Sequence, residues 1–272
     1  MRLVRGTRRI LAVFLSAVFM FAVANSTATA DKATSTASLI AQSEPDNGNG
    51  DPIEPVNRVI LDFNEFIMEV LLRPITQLYV FLLPNFALDG IHNALNNLNT
   101  PIILVNDLLQ WEPERAWTTT QRFFINSTLG IGGLMDPAKD FGIEWHKEDF
   151  GQTFAVWGVP EGFYMVLPLF GPSNPRDAVG LAAGFFLDPL SHWLNNINRE
   201  EIALARTMVS GVDEFSRVMD DLENVKDTSI DYYAALRSIA RQKRKADISN
   251  SAPAARATLA DLKYDFNAQF IE

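Results

Sequence analysis

From Val56 to Leu129 the chain is built of apolar residues that return every three or four positions, and prolines cut the pattern at Pro74, Pro84 and Pro101. That period belongs to helices with one greasy face, not to strands. Val56, Val59, Ile60, Phe63, Phe66, Ile67, Val70 and Leu71 form the first such face, with Pro74 ending or kinking the helix. Ile75 to Leu83 is a second apolar stretch. The pattern predicts a third helix over 86–98, a short apolar segment over 102–109 after Pro101, and a further helix over 114–129. Further helices are expected over 176–194, 199–223 and 230–245. Between them, residues 130–177 are rich in glycine, proline and aromatic side chains. Strand signals there are thin: Thr153–Trp157 and Met165–Leu169 could pair. The expected fold is mainly α, a compact helical body with a Gly/Pro/aromatic-rich loop region.

The N-terminus is of another kind. Arg2, Arg5, Arg8 and Arg9 precede an almost wholly apolar run from Ile10 to Ala24, and Ala28-Thr29-Ala30 has the small-x-small form of a signal-peptidase site. The run is short against the about 20 residues that cross a bilayer. Residues 1–30 read as a cleaved export signal and 31–50, small and polar, as a flexible linker. The folded domain is expected over 51–248, with a tail over 249–272 that carries a helix near 254–270.

Charge and composition exclude several functions. The formal charge is −10, and removing the four signal arginines takes it to −14. Such a chain repels phosphate backbones, so no nucleic-acid partner is expected, and anionic lipid surfaces do not attract it. There is no cysteine, hence no disulfide, thiolate nucleophile or Cys-ligated metal. His92, His146 and His192 lack metal-ligand spacing and read as structural or surface residues. No GxSxG or P-loop is present, and Gly130-Ile131-Gly132-Gly133 follows a helix instead of a strand. We expect no enzyme, no cofactor and no metal. Glu148-Asp149 reads as a solvated loop pair, and Arg241, Lys243, Arg244 and Lys245 as a solvated helix end suited to the macrodipole. Gly180-Leu181-Ala182-Ala183-Gly184 offers a small-residue face for close helix approach.

Polar residues sit in unusual places. Asn57, Arg58, Asn64, Arg73, Asn106, Asp107, Arg122 and Asn126 are embedded in otherwise greasy helices. Burying them costs free energy unless they are paired. They are read as inter-helix hydrogen bonds and caps or, alternatively, as the lining of a polar path through an apolar body.

The segments DPIEPVNR at 51–58, Phe63-Asn64, Leu72-Arg73-Pro74, VNDLLQ at 105–110, RFFINSTLGIGG at 122–133, Asp149-Phe150-Gly151-Gln152-Thr153, Val156-Trp157-Gly158-Val159, Leu167-Pro168, Gly171-Pro172 and Arg176-Asp177, in this order, resemble the MlaA/VacJ family of Gram-negative outer membranes. The resemblance is close over 51–195 and looser beyond. It implies a ring-like helical body in the inner leaflet of the outer membrane. A polar channel there returns phospholipids strayed to the outer leaflet to a periplasmic MlaC-like carrier and so keeps the membrane asymmetric. Association with trimeric porins is also implied, as is a position at the periplasmic face of the outer membrane. Carried over, Asn57, Arg58, Asn64, Arg73, Asn106, Arg122 and Asn126 line or brace the channel. The loop Leu167–Asp177, with Gly171, Pro172, Arg176 and Asp177, is the gating hairpin, against which Phe63-Asn64 packs. Family members typically carry a lipidated cysteine after the signal. Without one, attachment rests on helix insertion, a porin or an uncleaved signal. Burial of about 1,000 Å² gives on the order of 25 kcal/mol before ordering costs, so insertion suffices. The rival expectation is a soluble periplasmic lipid-binding or chaperone-like module with a closed cavity.

Overall fold

The computed structural model describes residues 51–250. The expected signal, linker and tail helix lie outside those residues.

Helix α1 (Glu54–Ile67) carries Pro55 in its first turn, where the missing N–H costs nothing. Its buried face is Asn57, Leu61 and Asn64, while the apolar Val56 and Phe66 are exposed. The break expected at Pro74 takes another form. A five-residue π-helical segment, Met68–Leu72, carries the chain without interruption into α2 (Arg73–Leu82). A proline clashes with the carbonyl four residues back, and a wider turn relieves that clash while keeping the axis continuous. Extended backbone at Leu83 and Pro84 then stops the helix. The next helix leaves at 118°.

That helix, α3 (Asn85–Leu109), runs through Pro101. The two pieces expected on either side of the proline are one element of 25 residues. Leu95, Ile103, Asn106 and Asp107 are buried on both sides of it, and their packing outweighs the roughly 3 kcal/mol cost of an interior proline. α4 (Pro113–Thr128) packs along α3 and unwinds into the glycine turn at 130–133.

The aromatic loop region holds two short helices, α5 (Pro137–Asp140) and α6 (Phe150–Val156), and a hairpin of β1 (Met165–Leu167) and β2 (Gly171–Ser173). The strand expected at Thr153–Trp157 is mostly helix, because the Asp149 carboxylate accepts from the Gln152 amide and caps α6. The partner of β1 is instead Gly171–Ser173, antiparallel, with Val166 opposite Pro172. The single helix expected over 176–194 is α7 (Pro175–Leu187) and α8 (Pro189–Asn196), broken where Asp188 leaves helical geometry before Pro189. Two longer helices follow, α9 (Glu200–Thr228) and α10 (Tyr232–Ile248).

α9 packs on α2, α3, α8 and α10, and α10 reaches α6 and β2. Arg58 of α1 pairs with Asp231 at the start of α10, so the first and last described helices close the body into a ring. The apolar core is small: Leu61, Tyr164, Val166 and Tyr233, with Ile60, Tyr232 and Leu236 against them. Among the described residues no single helix is long and apolar enough to cross a membrane; 54–82 and 85–109 pass that test only as a bent pair.

Candidate functional site: a braced hairpin and a polar cavity

Asn57 and Asn64 stand two turns apart on one face of α1, at opposite ends of β1. The Asn57 amide donates to the Tyr164 carbonyl (3.2 Å) and the Asp51 carboxylate (2.8 Å), and its oxygen accepts from the Val166 N–H (2.9 Å). Asn64 donates to the Leu167 carbonyl (2.9 Å) and accepts from the Leu169 N–H (2.7 Å). The two side chains supply the hydrogen bonds that a neighbouring strand would give. They hold a turn in which Leu169 has φ 70° and Gly171 φ 78°. The first value is uncommon for a side-chain-bearing residue, so the turn depends on its surroundings. Phe63 is half-buried beside Asn64, and Pro172 lies on the second strand.

A second brace centres on Arg244. Its guanidinium donates to both oxygens of Asp149 (2.7 and 2.8 Å) and both of Asp177 (2.8 Å each). Asp149 caps α6, and Asp177 lies in the first turn of α7, where the Asn174 side-chain Oδ1 accepts its N–H. Burial works to raise both carboxyls, but Arg244 outweighs it, with Gln152 assisting at Asp149 and Arg176 at Asp177. Asp149 is held down at about 2, and Asp177 below the usual carboxylate range. Arg244 and Asp149 are therefore not the solvated groups expected from sequence. α6 and α7 meet through glycine: a Cβ on Gly180 would lie 2.3 Å from the Gly151 nitrogen. Arg58 joins this framework, bonded to Glu54 and Asp231 and stacked 4.4 Å over the Tyr233 ring.

A third network lies between α3, α4 and α6. Asp107, fully buried, accepts from the Thr119 hydroxyl (2.6 Å) and contacts His146 Nε2 (3.0 Å). Glu148 is buried as well, bonded by Arg115 (2.5 Å) and Gln110 (2.7 Å). Burial pushes its carboxyl up despite those partners. The Asn106 oxygen accepts from Thr153 (2.7 Å). Glu148 is thus a bracket, contrary to the expected solvated pair, and nothing in its spacing marks it as one.

The open space lies between α3, α4 and the loop that contains α5, a cavity of about 290 Å³. From α3 it takes His92, Asn93, Asn96, Asn97 and Thr100; from α4, Arg122 and Asn126. Asp136, Lys139, Glu144 and Trp145 complete the wall. Arg122 donates to both oxygens of Asp136 (2.7 and 2.8 Å) and to the Ile143 carbonyl, and Asn126 to Asp136 (2.8 Å). Burial alone would raise the Asp136 carboxyl, but these bonds hold it below its ordinary value. His92 contacts the buried Asp213 through Nδ1 (2.6 Å) and Asn96 through Nε2 (2.9 Å).

The expected lining residues are therefore not one passage. Arg122 and Asn126 line the larger cavity. Arg73 lines a second one, of about 210 Å³ beside the π-helical segment, and pairs with Glu223. Asn57, Arg58, Asn64, Asn106, Arg176 and Asp177 brace. The amides Asn93, Asn96 and Asn97 were missed by sequence reasoning. Their i, i+3, i+4 spacing, opposite the apolar face of α3, was the available signal. Among the described residues no cluster of His, Asp and Glu has metal-binding geometry.

Fold and site define a mainly helical, ring-like protein, apolar outside and polar within. The chain matches the MlaA lipoprotein family over residues 49–247 and belongs to it. It is 33% identical over 199 residues to a protein of Rickettsia bellii, covering 73% of this chain and 76% of that one. It is 30% identical over 178 residues to the intermembrane phospholipid transport system lipoprotein MlaA of Escherichia coli K12, covering 64% and 68%. A solved structure reported as the structural basis for maintenance of bacterial outer membrane lipid asymmetry superposes with a TM-score of 0.64. Its identity is 28% over 73% of this chain and 99% of that one.

Proposed function

We propose that this chain moves phospholipid between membranes of the cell envelope and so maintains outer-membrane lipid asymmetry, binding and passing lipid without catalysis. One observation carries the reading. Among the described residues, polar side chains fill the interior while large apolar ones face outward, with Phe81 85%, Phe86 80%, Trp111 89% and Phe186 75% exposed. A water-surrounded globule arranges them the other way round. Acyl chains satisfy that exterior, and the amide-lined cavity suits headgroups. The bent pair α1–α2 and α3 fits a body seated in one leaflet, at the periplasmic face of the outer membrane. A soluble MlaC-like carrier receives the lipid, and trimeric porins are further partners.

In this reading Arg122 and Asn126 line the lipid path. Asn57, Asn64, Phe63, Gly171 and Pro172 set the hairpin that gates it, and Arg176, Asp177, Arg58 and Asn106 hold the frame. The purified protein is expected to need detergent and to carry phospholipid visible by mass spectrometry. A monodisperse, lipid-free protein in plain buffer overturns the proposal. Deletion of Phe63-Asn64 is expected to change surface-exposed phospholipid in cells, and an unchanged level removes the gate assignment.

A further inference from the structure

The larger cavity has a charge pattern that the lipid-transfer reading does not by itself require. Its Arg122 and Asp136 satisfy one another. Lys139 and Glu144 line the same space, opposite in charge, yet neither has an ion-pair partner among the described residues. The wall facing them from α3 is made of amides. Asn93, Asn96 and Asn97 use their N–H groups on Leu134, His92 and Ser127, and among the described residues no donor reaches their side-chain oxygens. Trp145 adds an aromatic face, with 37% of its surface open.

We infer that this cavity recognises a zwitterionic headgroup that carries a primary ammonium, as in phosphatidylethanolamine, in preference to an anionic headgroup; the inference rests on the lipid-transfer reading. A phosphate finds one uncompensated cation, Lys139, with the Arg122 guanidinium beside it. An ammonium three bonds further on brings three donors, for which Glu144 and the free amide oxygens are the matching acceptors, and Trp145 offers a cation–π face. A phosphoglycerol headgroup satisfies Lys139 but leaves Glu144 facing an uncharged diol. At about 290 Å³ the cavity stands at the small end of ligand sites, about 300–1,000 Å³, so it holds a headgroup and leaves the acyl chains outside.

The test is calorimetric titration of the detergent-purified protein with dihexanoyl phosphatidylethanolamine and dihexanoyl phosphatidylglycerol. The wild type is expected to bind the ethanolamine lipid about tenfold more tightly, the size of one charged hydrogen bond. Glu144→Gln is expected to erase the preference by weakening the ethanolamine lipid alone, and Lys139→Gln to weaken both. Both side chains are exposed and unpaired, so the variants fold. Equal affinities in the wild type, or a preference that survives Glu144→Gln, overturn the headgroup inference and leave lipid transfer standing. Failure of both lipids to bind overturns the two together.

Discussion

Arg244 ties α10 to α6 and α7, two helices already in close backbone contact with each other. One guanidinium compensates two carboxylates, each of which also serves a helix N-terminus. Removing it leaves like charges facing each other at the mouths of α6 and α7. Arg244→Ala is expected to cost about 2–4 kcal/mol, less than a fully buried pair because Asp149 keeps 40% of its side chain open. For a chain this size that lowers the melting temperature by roughly 5–15 °C. The acid limb follows from the same contact. Asp149 titrates at about 2 when folded against 3.8 ordinarily, so the unfolded chain takes up a proton first as pH falls. The contribution of Asp149 is complete above about pH 4 and gone below about pH 2. Arg244→Ala should move the acid-unfolding midpoint upward, followed by circular dichroism; an unmoved midpoint would show that the latch does not stabilise the fold. None of this was legible in the sequence. Arg244 lies 95 positions from Asp149 and 67 from Asp177, and a basic residue near a helix end looks the same whether solvated or clasped.

The hairpin and the α6–α7 contact show what element geometry adds. Asn57 sits wholly inside and Asn64 nearly so, and each meets the hairpin with a donor and an acceptor. Asn64→Ala frees the Leu167 carbonyl and the Leu169 N–H beside a left-handed residue. Hydrogen exchange at Leu169 and its neighbours is expected to accelerate by about tenfold or more, with little change in α4. Equal acceleration in both places would mean that Asn64 supports the whole body instead of the turn. Gly180→Ala tests the neighbouring contact. Its new methyl meets the Gly151 nitrogen and Cα at 2.3 and 2.6 Å, backbone that cannot step aside, so a loss of about 2–3 kcal/mol is expected in thermal melts. A neutral result would show that α6 and α7 separate freely. The small-residue run at 180–184 announced this approach, as did the embedded asparagines their need for partners. The prolines misled. Pro74 and Pro101 are local stop signals, and both were overridden, one by a π-helical turn and the other by burial on either side. Single-residue rules carry no information about packing energy, so they mark where a break is cheap, not where it happens.

The distribution of polarity belongs to no one helix. Among the described residues the largest fully enclosed side chains are Gln152, Asn57, Asn106, Thr76, Thr153, Asp107 and Asp213, with Val166 the one apolar member of that set. Folding therefore gains little here from burying hydrocarbon in protein, and the surface left over needs a partner phase. The helical period revealed greasy faces in the sequence but not which way they turn, because an apolar stripe reads the same against a core or against lipid. The exposed aromatics make the orientation testable. Phe86 lies in the first turn of α3 and Phe186 in the last turn of α7, and each inserted ring contributes about 1.5–3 kcal/mol of transfer free energy. Replacing both by lysine also sets two charges where acyl chains are proposed. Phe86→Lys/Phe186→Lys is expected to reduce partitioning onto phosphatidylethanolamine–phosphatidylglycerol liposomes by at least about a hundredfold in flotation. Its melting curve in detergent should stay within a few degrees of wild type, since neither ring is enclosed by protein. A variant that floats like the wild type would place these faces against water or a protein partner. One that unfolds would place them in the core, and either result would remove the single-leaflet seat on which the proposed lipid path depends.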